Sequence, residues 1–161
     1  MNENEKRKKP KNTSWGPVAD WYDAYLEVTP ESYQAAVIAP NLLRVLALKK
    51  GEHVIDIACG QGYFTRAFAE AGAHAVGADI SKELITVAKK RSPKIDFHVA
   101  PAHKLSFAKD ASYDAATIVL AIQNIENIFC LLPPTIFFAY MFKVSCDTGQ
   151  FVRNEVVRNE A

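Results

Sequence analysis

Cysteine is scarce in this sequence, and the scarcity narrows the classes to which the chain can belong. The 161 residues contain three cysteines, Cys59, Cys130 and Cys146, an odd number without metal-ligand spacing. This pattern argues against a disulfide scaffold and against a cysteine-built metal site, so we expect no metal ion. It also predicts a reducing compartment, the cytoplasm.

A long hydrophobic run and an excess of one charge are lacking as well. The apolar stretch at 128–142 is fifteen residues long and contains Pro133 and Pro134, whereas a transmembrane helix needs about 20 apolar residues. We therefore expect no membrane span. The net charge of +1 favours no particular partner, and nothing in the sequence indicates an oligomeric state.

The composition predicts one folded core with a segment of different character at each end. Residues 1–14 form a predicted basic, flexible tail with five Lys or Arg and two Glu among its first twelve residues. A nucleic-acid or anionic-surface arm is the alternative interpretation of this tail, and no apolar region follows that would make it a secretory signal. Residues 15–128 form the predicted core, large enough for one domain, and 129–161 are an atypical C-terminal segment.

The most informative segment that is present reads VIDIACGQG, at residues 54–62. A β-branched strand is followed by a compact turn that begins at Ala58 and contains Gly60 and Gly62. Both glycines can adopt a positive φ and let a ligand approach the backbone. The helix predicted over 63–70 would then direct its free N–H groups at that ligand.

A second acidic residue follows the next predicted strand. Asp79 lies about 20 residues after the glycine turn and precedes Ser81, a predicted N-cap. An acid at this position of a βαβ unit is typical of ribose recognition, because a carboxylate can accept hydrogen bonds from both hydroxyls. The sequence therefore predicts a cofactor that contains a nucleoside.

Two cofactor classes use this arrangement, and the local residues favour one of them. A dinucleotide site has the pattern G-x-G-x-x-G, but here Phe64 and Thr65 occupy the place of the third glycine. Asp56 would put a negative charge near a pyrophosphate, which is electrostatically unfavourable, and suits a cofactor with a cationic end. A nicotinamide-dependent oxidoreductase is the less favoured alternative.

The segment from Asp56 to Gly62 resembles motif I of the class I S-adenosylmethionine-dependent methyltransferases, with Ala58 in place of the usual first glycine. The resemblance extends from about Trp15 to Ile128. It implies S-adenosylmethionine as the cofactor and assigns the following residues to its binding site: Tyr22 in an N-terminal lid, Asp56, Ala58, Cys59, Gly60, Gly62, Asp79 at the ribose, Ile80 beside the adenine, Ala102, His103, and Leu120 at the methionine part.

Two finer features modify this resemblance. The IQNI segment at 122–125 is similar to the Leu-Arg-Asn-Val segment of quinone-biosynthesis C-methyltransferases, with Gln123 replacing the arginine. After the third strand, many relatives have an acid that accepts from the adenine amino group, but this chain has Pro101. Adenine would then depend on the backbone of Ala102 or His103 and on apolar contacts, so we expect weaker or differently shaped recognition.

The fold class predicted from the pattern is α/β, with a Rossmann-like parallel sheet and flanking helices. The predicted strands lie near 54–57, 75–78, 95–100 and 115–120, and the predicted helices span 31–48, 63–70 and 82–90, with the first kinked or divided at Pro40. The expected strand order is third, second, first, fourth, which places the crevice between the first and fourth strands. We expect this sheet to be truncated after strand four, with its edge there exposed, because no family pattern is legible beyond residue 129.

The function predicted from the resemblance is S-adenosylmethionine-dependent transfer of a methyl group to a small-molecule acceptor that the sequence does not identify. A truncated, inactive remnant or nucleoside-binding module is the alternative. No catalytic residue is assigned. His103 is either a base or an exposed loop residue, Gln123 and Asn124 either orient substrate or cap a helix, and Cys59 is a packed residue in preference to a nucleophile.

Overall fold

The computed structural model describes residue 24, residues 32–109 and 112–125, and the backbone of 141–144 and 151–152. The basic tail, the lid segment with Tyr22, and both C-terminal cysteines lie outside the described residues. Among those that are described, no helix is long and apolar enough to span a bilayer.

A six-stranded sheet organises the described residues, in the order β3-β2-β1-β4-β5-β6. The strands are His53–Ile57 (β1), His74–Asp79 (β2), Asp96–Val99 (β3), Ala115–Thr117 (β4), Met141–Val144 (β5) and Phe151–Val152 (β6). The first four pair in parallel, which confirms the predicted Rossmann-like order. Because β1 is central, its four residues from Val54 to Ile57 are all buried, and this explains why three of the four are β-branched apolar residues.

The prediction of an exposed edge at the fourth strand is wrong. β5 pairs antiparallel with β4, and β6 pairs antiparallel with β5. The sequence did not reveal these strands because the segment around them lacks alternating polarity. β4 is also shorter than predicted, since it ends at Thr117 and Leu120 has a φ of 55°, a left-handed backbone that cannot continue a strand.

Within residues 32–125 as described, three α-helices connect or precede the parallel strands: Ala39–Leu46 (α1), Tyr63–Glu70 (α2) and Lys82–Arg91 (α3). A π-helical turn at Gln34–Ile38 precedes α1. Pro40 lies in the first turn of α1, a position that proline tolerates. The backbone stays helical from Gln34 into α1, since Ile38 is itself helical and the Ala39 N–H bonds to the Gln34 carbonyl. The helix type changes next to this proline, from π-helical to α-helical, but the helix is not divided there.

The sheet is covered differently on its two faces. On one face, Leu42 and Leu46 of α1 and Phe68 of α2 pack with Val54, while Ile85 of α3 packs with Phe97 and Ala88. On the other face, Ile55, Ile57 and Ile118 lie under residues of the 102–125 segment. The buried faces leave the carboxyl ends of the strands as the place where polar side chains and backbone groups meet open space.

Candidate functional site at the carboxyl edge of the sheet

The turn between β1 and α2 has an unusual backbone. Three of its residues have a left-handed φ: Ala58 at 58°, Gly60 at 57° and Gly62 at 80°. The turn is closed by a hydrogen bond from the Gly62 N–H to the Cys59 carbonyl, 3.0 Å. Glycine adopts this φ without cost, whereas an alanine does so at a cost of about 1–2 kcal/mol. Ala58 therefore holds a left-handed backbone that a glycine would adopt without this cost.

The two glycines of the turn serve different purposes. A Cβ placed on Gly60 would meet no atom within 4 Å, so the space above this residue is open to a ligand. A Cβ on Gly62 would lie 2.7 Å from the ring of Phe97. Gly62 thus lets α2 approach β3 closely, while Gly60 is the residue over which a ligand can pass.

Asp79 ends β2 beside this turn and is 8% exposed. Its Oδ2 accepts a hydrogen bond from the Gly60 N–H at 2.9 Å, and its Oδ1 accepts one from the Ser81 N–H at 2.8 Å. Burial raises the pKa of this carboxyl, while the two backbone donors oppose the rise. A carboxylate oxygen can accept more than one hydrogen bond, so Asp79 keeps acceptor capacity for ligand hydroxyls.

Ser81 starts α3 as predicted. Its Oγ accepts from the Leu84 N–H at 3.2 Å, the bond that defines an N-cap, and its hydroxyl donates to the carboxylate of Glu83. The cap fixes where α3 begins, and so it fixes the backbone on which Asp79 is held.

Three large apolar side chains are exposed along the same edge. Ile80 follows β2 and is 68% exposed, Val99 ends β3 and is 53% exposed, and Leu120 follows β4 and is 46% exposed. Exposed apolar side chains gathered at one place favour a ligand with apolar surface. These apolar side chains, the acceptor carboxylate of Asp79 and the open space over Gly60 together fit a nucleoside cofactor.

The loop after β3 provides little polar recognition by side chains. Ala102 is half-buried and packs toward the 102–125 cluster, whereas His103 is exposed. The Pro101 carbonyl accepts from the Lys104 N–H at 2.9 Å. His103 has no described contact that would make it a base, and the expectation of weaker adenine recognition stays a prediction.

Asp56 lies beneath the crevice and not on its surface. It is 1% exposed. Its carboxylate accepts hydrogen bonds from the Thr65 hydroxyl, with an O···O distance of 2.7 Å, and from the Thr117 hydroxyl, at 2.9 Å. Burial raises its pKa from 3.8 to about 6, against the opposing effect of both hydroxyls. The sequence interpretation missed these threonines as partners, because only the parallel register of β1 and β4 places Asp56 opposite Thr117.

The structure favours the packed interpretation of Cys59. Its side chain is buried with Ile85 and Phe97, and burial raises the pKa of its thiol well above the ordinary value. A raised pKa disfavours the thiolate that a nucleophile requires. The neighbouring Gln61 is 2% exposed, and its Nε2 has no hydrogen-bond partner within the part of the chain that the structure describes.

The Gln123 side chain bonds to the preceding backbone and does not cap the helical turn Ile122–Asn124. Its Nε2 donates to the Leu120 carbonyl at 2.9 Å, and both Gln123 and Asn124 are exposed. That bond holds the backbone at Leu120, where φ is 55°. Within residues 32–109 and 112–125, no group of three or more His, Cys, Asp or Glu side chains is placed to hold a metal ion.

Substituting Gly60 tests whether a ligand crosses the turn, and Gly51 provides a matched control. Both have a positive φ and no atom within 4 Å of an added Cβ, but Gly51 precedes β1 at the opposite edge. We expect Gly60→Ala and Gly51→Ala to destabilise the fold by about 1–2 kcal/mol each. The test ligand is S-adenosylhomocysteine, the form of S-adenosylmethionine that has lost its methyl group. Only Gly60→Ala should weaken its binding, by about tenfold, and Gly60→Val should block it. If titration calorimetry gave equal affinities for Gly60→Ala and Gly51→Ala, the ligand would not cross Gly60.

Comparison with known proteins shows which proteins this chain is similar to. A family profile described as "Methyltransferase domain" matches residues 54–130. A demethylmenaquinone methyltransferase of Paenarthrobacter aurescens (strain TC1) is 34% identical over 75% of this chain and 47% of that protein. The chain spans less than half the length of this protein and of two further demethylmenaquinone methyltransferases to which it is similar.

Solved structures agree on the fold. A protein of Methanococcus maripaludis superposes with a TM-score of 0.61 and 19% identity, over 81% of this chain and 58% of that one. Phosphoethanolamine N-methyltransferase 2 of Haemonchus contortus, solved in complex with S-adenosyl-L-methionine, is 27% identical with a TM-score of 0.52, over 56% of this chain and 22% of that one. With the strand order and the turn after β1, these matches show a Rossmann-like methyltransferase fold, and they make the chain similar in sequence to S-adenosylmethionine-dependent methyltransferases.

Proposed function

We propose that this protein binds S-adenosylmethionine at the carboxyl edge of its sheet and transfers the methyl group to a small-molecule acceptor. The observation that carries the proposal is the placement of Asp79. Its carboxylate is fastened to the Gly60 N–H and the Ser81 N–H beside the open space over Gly60. An acid fixed in this way is preorganised to accept the two ribose hydroxyls.

The remaining contacts follow from the position of this acid. The adenine lies against Ile80 and Val99, the apolar side chains exposed beside Asp79, with the backbone of Ala102 or His103 as its polar partner. The methionine part crosses Gly60 toward Leu120. Tyr22, outside the described residues, is proposed to close over the cofactor.

The cofactor supplies an activated methyl group when it is bound, so this chain contributes mainly position. Binding two reactants side by side in a fixed geometry is worth several kcal/mol of the barrier. We assign no catalytic base, because neither His103 nor Gln123 has contacts within the described residues that indicate proton transfer. A cytoplasmic location and a small acceptor are part of the proposal.

The first acceptor class to test is a reduced quinone ring. The relative from Paenarthrobacter aurescens is a demethylmenaquinone methyltransferase by name, and the 122–125 segment is similar to that of the quinone-biosynthesis enzymes. A hydroquinone ring is electron-rich and can attack a sulfonium methyl carbon. This support concerns less than half of that relative's length, so the acceptor panel should include unrelated phenols and amines.

Titration calorimetry of the folded, monodisperse chain with S-adenosylhomocysteine, with NAD as control, tests the cofactor. We expect saturable binding of S-adenosylhomocysteine alone. Methyl transfer from S-adenosylmethionine labelled on its methyl group to the acceptor panel then tests the reaction. Absence of binding by a folded sample would favour the inactive remnant, and binding of NAD would favour an oxidoreductase.

A further inference from the structure

One buried carboxylate connects the two sides of the crevice. Asp56 lies near the end of β1, Thr65 in the first turn of α2, and Thr117 at the end of β4. All three are buried, with Thr65 and Thr117 both at 0% exposure. The bonds from both hydroxyls to Asp56 are therefore shielded from water, where a hydrogen bond is electrostatically stronger.

The bond between Thr65 and Asp56 spans the cofactor turn. Asp56 comes two residues before Ala58, where the turn begins, and Thr65 comes three residues after Gly62, where it ends. The 2.7 Å bond between their side chains therefore ties together the two ends of a turn with three left-handed residues. Loss of the bond would leave the backbone around Gly60 free to relax.

The bond between Thr117 and Asp56 holds the opposite side of the crevice, where β4 ends. Thr117 is the last residue of β4, and the chain continues from it to Leu120 and the short helical turn Ile122–Asn124. An ionised carboxylate only accepts hydrogen bonds, so both threonine hydroxyls must donate to it. The Thr117 hydroxyl has one other acceptor within reach, the Ile55 carbonyl at the longer distance of 3.4 Å.

We propose that Asp56 is a positioning residue, which acts through Thr65 and Thr117 to fix the spacing between the cofactor turn and the Leu120 side of the crevice. The inference rests on the proposed function, because it concerns the affinity for that cofactor. It replaces direct contact between Asp56 and a cationic ligand with an indirect role, as the 1% exposure of Asp56 requires.

Two kinds of substitution at Thr65 and Thr117 test the inference, one that removes the hydroxyl and one that retains it. Thr65→Val and Thr117→Val keep the branched shape and remove the hydroxyl, whereas Thr65→Ser and Thr117→Ser keep the hydroxyl. Thr86→Val is the matched control, because the Thr86 hydroxyl donates to the Lys82 carbonyl on the exposed side of α3. Each variant is titrated with S-adenosylhomocysteine in a calorimeter, and its thermal midpoint is measured.

We expect the valine variants to raise the Kd about tenfold at unchanged stoichiometry, and the serine variants to restore it to within about threefold of the original. Thr86→Val should keep the original Kd. A merely structural role would lower the stoichiometry and the thermal midpoint and leave the Kd of the folded fraction unchanged, which would overturn the inference. So would serine variants that bind as weakly as the valine variants.

Asp56→Asn covers the case in which a valine variant does not fold. It keeps the shape of the side chain and removes its charge, and we expect its Kd to rise by a similar factor in a well-folded protein. An original Kd in Asp56→Asn would overturn the positioning role and leave the proposed function standing. Failure of the unmodified folded chain to bind S-adenosylhomocysteine would reject the proposed function itself, and this inference with it.

Discussion

Replacing Asp79 with alanine should weaken the binding of S-adenosylhomocysteine by about 100-fold or more. Two hydroxyls of a ribose donating to a carboxylate form charge-assisted hydrogen bonds, each contributing about 1.5–3 kcal/mol. The loss of both corresponds to a factor of at least 100 in Kd at about 1.4 kcal/mol per factor of ten. Titration calorimetry with S-adenosylhomocysteine is the measurement.

The alanine variant also loses stability, which the sequence alone did not indicate. The Asp79 carboxylate holds the Gly60 N–H and the Ser81 N–H, and removing it leaves these donors without that acceptor. We expect a cost of about 1–3 kcal/mol in the free energy of unfolding. Asp79→Asn retains one of the acceptor oxygens, and so separates the loss of charge from the loss of the turn contacts.

Asp114→Ala is the control for this variant. The Asp114 carboxylate also accepts from a backbone N–H, that of His53 at 2.8 Å, but it lies at the amino ends of the strands, opposite the crevice. Its loss should reduce stability without changing the Kd. Unchanged affinity in Asp79→Ala, or an equal loss in Asp114→Ala, would remove Asp79 from the ribose role.

The sequence predicted the elements that depend on local pattern. Two of them, the apolar residues of β1 and the cap at Ser81, have a cause that a short window contains: continuous burial and a hydroxyl acceptor. The parallel strand order followed from the alternation of strands and helices. β5 had no such local signal, because its segment shows neither the alternating pattern of a strand nor the periodicity of a helix.

The site was predictable in its residues but not in their contacts. Gly60 and Gly62 look alike in sequence, and only the Phe97 ring distinguishes the packing glycine from the open one. Asp56 is the last but one residue of β1 and Asp79 is the last of β2. Yet Asp56 bonds to two threonines within the core, whereas Asp79 lies at the edge of the crevice. Thr117 lies 61 positions from Asp56, and Phe97 is likewise distant in sequence from Gly62, so no periodicity encodes these contacts.

The second large effect concerns Asp56 and pH. Burial raises the pKa of this carboxyl from 3.8 to about 6, so the folded state binds its proton more tightly than the unfolded state does. Stability from this group is therefore greatest below about pH 4 and falls as the pH rises through 6, after which it is constant. The two pKa values correspond to about 3 kcal/mol, the cost of keeping the charge buried at pH 7.

Asp56→Asn removes that cost, because the amide is neutral at every pH. We expect the variant to gain about 1–3 kcal/mol over the original protein at pH 7, since part of the gain is lost with the threonine bonds. The gain should shrink as the pH falls from 6 to 4. Urea unfolding at a series of pH values measures it, and the gain includes relief of the repulsion between Asp56 and Asp79, which also raises the pKa of Asp56.

The same substitution should weaken the binding of S-adenosylhomocysteine while it stabilises the fold. A carboxylate that is buried at a cost, between two hydroxyls that span the crevice, is expected where function opposes stability. If Asp56→Asn is less stable than the original protein at pH 7, the ionised carboxylate is itself a net stabilising group. The crevice would then be shaped by a favourable buried network, and the opposition between stability and binding would be absent.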